Sequence, residues 1–136
     1  MTHYDPSSSS DTPITARKLR GKRAFLAGMA AEDVVERHYT KCGAVQTARR
    51  WRGKGGEIDL IYTENDVIVF VEVKKARSFD AAVHHLTEAQ MYRIHAAASE
   101  YLGHTEKGQL SEVRFDLALV NETGEVRITQ NAFGHF

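Results

Sequence analysis

The sequence predicts an α/β domain of order α-β-β-β-α-β-β, with helices against a central mixed sheet. Three observations carry that reading. Two runs, Gly56 to Ile61 and Val67 to Lys74, are filled with Val, Ile, Leu and Phe at strand spacing. Leu26, Met29, Ala30, Val34 and Tyr39 recur at helical spacing. Thr87-Glu88-Ala89-Gln90 matches the capping box that opens a helix.

Taken in order, residues 1–13 are polar and serine-rich and are expected to form a disordered tail. Residues 14–136 are expected to form a single domain. The first helix spans roughly 15–42, with Pro13 and Thr15 as start signals and Gly43 as its stop. Ala44 to Arg50 reads as a first strand, and Arg52-Gly53-Lys54-Gly55-Gly56 as a flexible turn. The turn is not a phosphate-binding loop, because it lacks the Gly-Lys-Ser/Thr ending and precedes a strand. The strand holding Asp59 ends near Thr63. Glu64-Asn65-Asp66 forms a polar hairpin turn, and the strand holding Glu72 and Lys74 follows. The second helix starts at Thr87, with Leu86 and Met91 as its hydrophobic staple. It presents Met91, Ile94, Ala98, Tyr101 and Leu102 on one face and stops at Gly103. Val113 to Val120 and Glu125 to Thr129 complete the sheet.

Composition narrows the function. The 136 residues are 42% hydrophobic, enough for one core. The 18 basic and 18 acidic residues balance, so any nucleic-acid contact must come from local patches. A lone cysteine, Cys42, excludes an internal disulfide and a cysteine-built zinc site. No run approaches the roughly 20 apolar residues of a membrane span, and no signal peptide is evident. A cytoplasmic protein with no membrane partner is the expectation.

Asp59, Glu72 and Lys74 interrupt strands that are otherwise apolar. A charge inside a sheet is costly unless it is paired or bound to a metal. Alternation puts Glu72 and Lys74 on one face, and the hairpin makes the two strands antiparallel neighbours. Asp59 then sits beside Glu72. Two adjacent carboxylates repel, and Mg²⁺ or Mn²⁺ relieves that repulsion. The main-chain carbonyl of Val73 is a further oxygen ligand, and Lys74 can orient or deprotonate an attacking water. A solvent-facing Glu-x-Lys pair is the competing reading. The apolar run Val67 to Val71 favours a central strand covered on both faces.

Asp59 followed after twelve residues by Glu72-x-Lys74 matches the PD-(D/E)xK signature of restriction-endonuclease-like nucleases, without the proline. More closely, the chain resembles the YraN-like family of small bacterial proteins. The resemblance runs through Gly28-Met29-Ala30-Ala31-Glu32, Arg50-Trp51-Arg52, Gly56 to Ile61, Val69 to Lys74, Gln90 with Arg93-Ile94, and Arg114-Phe115-Asp116. It covers about residues 20–120. Where the family often has asparagine, this chain has Arg50. The resemblance implies a restriction-endonuclease-like α-β-β-β-α-β core and a metal-dependent nuclease. It assigns Glu32 on the first helix as a supporting acidic residue. By spacing alone, Glu36 is an equal candidate. Glu57 is read as a supporting or structural residue. Gln90 has a cap role and a place near the site, and the two are compatible.

Other groups are weighed more briefly. The clusters Arg17-Lys18-Arg20-Lys22-Arg23, Arg49-Arg50-Arg52-Lys54 and Lys74-Lys75-Arg77 are candidate phosphate contacts. From them, Arg50, Arg52, Lys54, Lys75 and Arg77 are the nucleic-acid-binding candidates. Trp51 either stacks on an unpaired base or, as favoured here, packs at the core edge. His84 and His85 lack partners at metal-ligand spacing. Arg114 and Asp116 read as a structural ion pair.

The expectation is a divalent-metal-dependent endonuclease, structure-specific for DNA, with Mg²⁺ or Mn²⁺ on Asp59 and Glu72. Archaeal Holliday-junction resolvases share a similar order of glutamate, aspartate and Glu-x-Lys and act as dimers. A junction-cleaving homodimer is therefore one version. A phosphoesterase of nucleotides or RNA is another. The reading from a different class is a non-catalytic nucleic-acid-binding or assembly factor that keeps the fold.

Overall fold

The structure is a computed structural model that describes residues 30–83 and 86–134, for Ala82 and Val83 the backbone alone. The expected 1–13 tail, the basic cluster from Arg17 to Arg23, and His84 and His85 lie outside those residues.

Residues 30–41 are helical (α1). Gly43, at φ +86°, turns the chain after the helix, as the stop signal requires. Three strands follow: β1 (Val45–Arg52), β2 (Glu57–Glu64) and β3 (Val67–Lys75). Asn65 and Asp66 both take positive φ, 49° and 67°, which is the turn that matches strand twist in a two-residue hairpin. A short helix, α2 (Phe79–Val83), precedes α3 (Glu88–Leu102), then β4 (Val113–Val120) and β5 (Val126–Thr129). The strand and helix order is the expected one with α2 added. The sheet order is β1-β2-β3-β4-β5. Only β3 and β4 run parallel, and α2 and α3 supply the crossover a parallel pair needs.

The capping box of α3 forms in full. Thr87 Oγ1 accepts the Gln90 amide at 3.2 Å, and Gln90 Oε1 accepts the Thr87 amide at 3.1 Å. The helix buries Ile94, Ala97, Ala98 and Leu102, with Met91 and Tyr101 half-buried beside them. These residues pack on one sheet face with Ile61, Phe70, Phe115, Leu117 and Leu119. The other face carries Leu60, Tyr62, Val69, Val71, Ala118 and Val120 against α1. Val69, Phe70 and Val71 are all fully buried, so β3 is a central strand covered on both sides. Glu72 and Lys74 continue that strand and are not a surface pair.

The buried side of α1 is Ala31, Glu32, Val35 and Tyr39, while Ala30 is exposed. This is one residue round from the stripe that hydrophobic spacing predicts, and it turns Glu32 inward. Across the sheet, Asp116 is fully buried with every oxygen engaged. It accepts from Tyr39 Oη at 2.7 Å, from Arg114 Nε and Nη2 at 2.8 and 2.9 Å, and from the Asn131 amide at 2.9 Å. The expected Arg114–Asp116 ion pair is thus also the lock between α1, β4 and the C-terminal segment. Among the described residues no helix is long and apolar enough to cross a membrane.

Candidate active site

The central strands part where their charges begin. The ladder between β2 and β3 ends at Leu60 opposite Val71. One residue further, the Asp59 side chain takes over from the backbone: Asp59 Oδ2 accepts the Val73 amide at 2.8 Å. A strand residue points its N–H and C=O to the same edge. The Val73 carbonyl is therefore directed to the same side as Asp59. Phe70, Glu72 and Lys74 alternate onto the α3 face, as does Asp59 with Ile61. Glu72 Oε1 lies 3.3 Å from Lys74 Nζ, with the two side chains only 13% and 16% exposed.

Burial makes this group electrostatically unusual. It pushes the Glu72 carboxyl up to about 8, with the charge of Asp59 adding and that of Lys74 opposing. Burial also raises Asp59, against the pull of the Val73 amide. Two carboxylates that interact this strongly repel each other unless a proton or a cation lies between them. The residues fit a cation: Asp59, Glu72 and the Val73 carbonyl are hard oxygen donors on one side of the sheet, suited to Mg²⁺ or Mn²⁺. Among the described residues no set of three or more His, Cys, Asp or Glu side chains is gathered for a metal. Any cation held here would take only this pair as side-chain ligands.

Asp59 and Glu72 open onto a cleft of about 350 Å³ that also meets Glu32, Arg50, Glu57, Gln90 and Arg93. Glu32 reaches it from α1, 6% exposed, and its Oε2 is clasped by two arginines. Arg49 Nη2 is at 3.2 Å and Arg50 Nε at 3.1 Å. Successive strand residues ordinarily face opposite ways. Both arginines reach Glu32 because Arg50 sits at φ +51°, a left-handed backbone that re-aims its side chain. Asparagine is the residue most at ease in that region after glycine, so an arginine there marks a backbone held by its surroundings. Arg50, expected as a phosphate contact, thus lines the cleft while paired to Glu32. Glu36 pairs instead with Arg49 at 3.1 Å and lies outside the cleft.

Helix α3 builds the opposite wall with Gln90, Arg93 and Ile94. Gln90 fills both expected roles, cap and cleft wall. Arg93 was not singled out as a site residue; its spacing of three from Gln90 on a helix was the available signal. It is exposed, and among the described residues it has no ion-pair partner. The Gly53–Gly56 segment, expected to be flexible, is docked on α3. Both Glu100 oxygens accept the Lys54 amide, at 3.1 and 2.8 Å. A Cβ on Gly53 would collide with Glu100, and one on Gly56 would come 3.1 Å from the Arg93 carbonyl oxygen. Glycine is required here for close approach.

The remaining basic candidates are peripheral. Arg52 pairs with Glu57 at 3.3 Å on the surface, and Lys54, Lys75 and Arg77 are exposed. Trp51 is half-buried, edge-on to Tyr101 at 5.4 Å; it packs at the core edge and also lines an open pocket, so the two readings of it are compatible.

The architecture defines a class: a mixed five-stranded α/β domain with a half-buried carboxylate pair and a lysine where two central strands separate. Within that class the chain belongs to the uncharacterised protein family UPF0102, whose model matches residues 31–120 and so spans the whole cleft. It is 53% identical over 122 residues to a UPF0102 protein of Ruegeria pomeroyi, covering 90% of this chain and 99% of that protein. A UPF0102 protein of Cereibacter sphaeroides is 48% identical over 115 residues, 85% of this chain and 98% of its own length. One from Roseobacter denitrificans is 44% identical over 117 residues, 86% and 91% of the two chains.

Proposed function

We propose that this protein is a divalent-metal-dependent phosphodiesterase of nucleic acid, a structure-specific DNA endonuclease of the PD-(D/E)xK type. The observation that carries the reading is the half-buried Asp59–Glu72–Lys74 group at the parting of β2 and β3. Four carboxylates (Glu32, Glu57, Asp59, Glu72) and two guanidinium groups (Arg50, Arg93) line the cleft, with Glu32 already paired to Arg49 and Arg50. A divalent cation on Asp59 and Glu72 would replace the proton on Glu72 and offer positive charge to a nucleic-acid phosphate.

Asp59, Glu72 and the Val73 carbonyl would hold Mg²⁺ or Mn²⁺. Such an ion supplies Lewis-acid charge at a phosphoryl oxygen. Lys74, fixed by Glu72, orients the attacking water and faces the charge that builds in the transition state. Asp59 is itself held in place by the Val73 amide. Arg93 offers a cation to the incoming phosphate from the far wall, while Lys54, Lys75 and Arg77 add sequence-independent contacts. The reading takes the protein as cytoplasmic. A homodimer, by the likeness to junction resolvases, is the form in which two clefts would cut paired strands.

One observation favours a second reading. Glu32 is occupied by Arg49 and Arg50, so the helix carboxylate is not offered to a cation. A non-catalytic nucleic-acid-binding or assembly factor would be built that way. The test is a labelled panel of single-stranded, duplex, flap, branched and four-way DNA, with RNA, incubated with Mg²⁺, Mn²⁺ or EDTA. Metal-dependent cleavage supports the nuclease. Binding that ignores metal, with no cleavage of any substrate, supports the factor.

A further inference from the structure

Across the Gly53–Gly56 loop from the cleft lies a second open pocket of about 460 Å³, lined by Trp51, Arg52, Gly53, Lys54, Glu100 and His104. We propose that it is a nucleobase subsite, seating one unpaired base of a single strand. Placing that same strand in the carboxylate cleft rests on the nuclease reading; the binding itself does not.

The lining has the two components that single-strand binding needs, aromatic surface and cations. Trp51 is pinned by edge-on contact with Tyr101, and the exposed His104 ring stands 6.4 Å away at 59°. The rings form an open aromatic corner fitted to a flat π-system. Gly53 keeps it clear: a Cβ there would lie 2.8 Å from Trp51 Cζ3. Lys54 is exposed, and its side chain has no ion-pair partner among the described residues. It is available to the phosphate of the seated nucleotide. The carboxylate in the pocket, Glu100, is engaged by the Lys54 amide, which also fixes the loop. A phosphate alone would have no use for the rings, and a duplex would not expose the base face they require.

The subsite adjoins the cleft on the other side of that loop. Gly53 lines one and Gly56 the other. The Gly53 amide donates to the Gly56 carbonyl at 2.9 Å, so the loop is closed and the two sites are neighbours. A substrate with an unpaired stretch next to the scissile phosphate would engage both.

Trp51 is the single tryptophan, so intrinsic fluorescence reports on this pocket alone. The experiment titrates the full chain, in EDTA, with a short oligothymidylate and separately with a blunt duplex. The expected result is saturable quenching by the single strand and little by the duplex. Lys54→Ala and His104→Ala, both at exposed positions that keep Trp51, should each raise the Kd about fivefold or more. Lys41→Ala, at an exposed position on α1 that lines neither pocket, should leave it unchanged. Absence of saturable quenching, equal quenching by duplex, or a Kd indifferent to both substitutions would overturn the proposal. No metal and no cleavage enter the readout, so loss of the nuclease reading and loss of this one are separately visible.

Discussion

Asp59 Oδ2 accepts the amide proton of Val73 at 2.8 Å, one residue beyond the last backbone pair of β2 and β3. A side chain thereby replaces a ladder bond, lets the strands part, and leaves Asp59 and Glu72 together at the head of a cleft. The chemistry proposed for the protein depends on that substitution of side chain for backbone.

The first prediction concerns pH. Glu72 titrates at about 8 in the fold against an ordinary 4.5, so the native state holds an extra proton between those values. Its stabilising contribution is complete below the unfolded value and is lost as pH rises through the folded one. Asp59 is shifted in the same direction. Urea denaturation of the metal-free protein should show a midpoint that falls between about pH 5 and about pH 8.5. Glu72→Gln should flatten that fall. Mn²⁺ added at the high end should recover the midpoint in wild type by binding the folded state. A wild-type midpoint that rises over this range would refute the electrostatic description of the pair.

The second concerns Asp116. It is fully buried and satisfies Tyr39, Arg114 and the Asn131 amide at once. Asp116→Ala leaves Arg114 with Glu64 alone, at 3.5 Å, strands the Tyr39 hydroxyl and the Asn131 amide, and should cost about 3 kcal/mol or more in denaturant titrations. Asp116→Asn keeps acceptor capacity and should cost less.

A third follows from the backbone of Arg50. At φ +51° a β-branched residue is strained, whereas asparagine is tolerated. Arg50→Val should be less stable than Arg50→Asn by about 1 kcal/mol. Both lose the same pairing to Glu32, so the difference isolates the backbone. Equal stabilities would show that the left-handed conformation is not held.

The fold was legible where local signals agree. The capping box at Thr87, the hairpin at Asn65-Asp66 and the apolar run of β3 each follow from short-range chemistry, and all stand. Helix α2 was missed because a five-residue element is too short for hydrophobic periodicity. The face of α1 came out one residue off because Glu32 is buried through its arginine partners, and hydrophobic spacing cannot see a paired charge. Within the site, strand alternation sufficed to bring Asp59, Glu72 and Lys74 together. The Asp59–Val73 bond, the clasp on Glu32 and the docking of Gly53–Gly56 on α3 depend on tertiary contacts, which no local pattern encodes. Arg93 escaped because it belongs to the cleft only once α3 is laid across it.

The central claim is that Lys74 acts on a cation-loaded carboxylate pair. The most direct measurement compares wild type with Lys74→Ala for cleavage of the DNA panel in Mn²⁺, beside a Mn²⁺ titration of each. The account predicts that the mutant binds Mn²⁺, because Asp59, Glu72 and the Val73 carbonyl remain, while its cleavage falls about a hundredfold or more. Equal cleavage by mutant and wild type would contradict it.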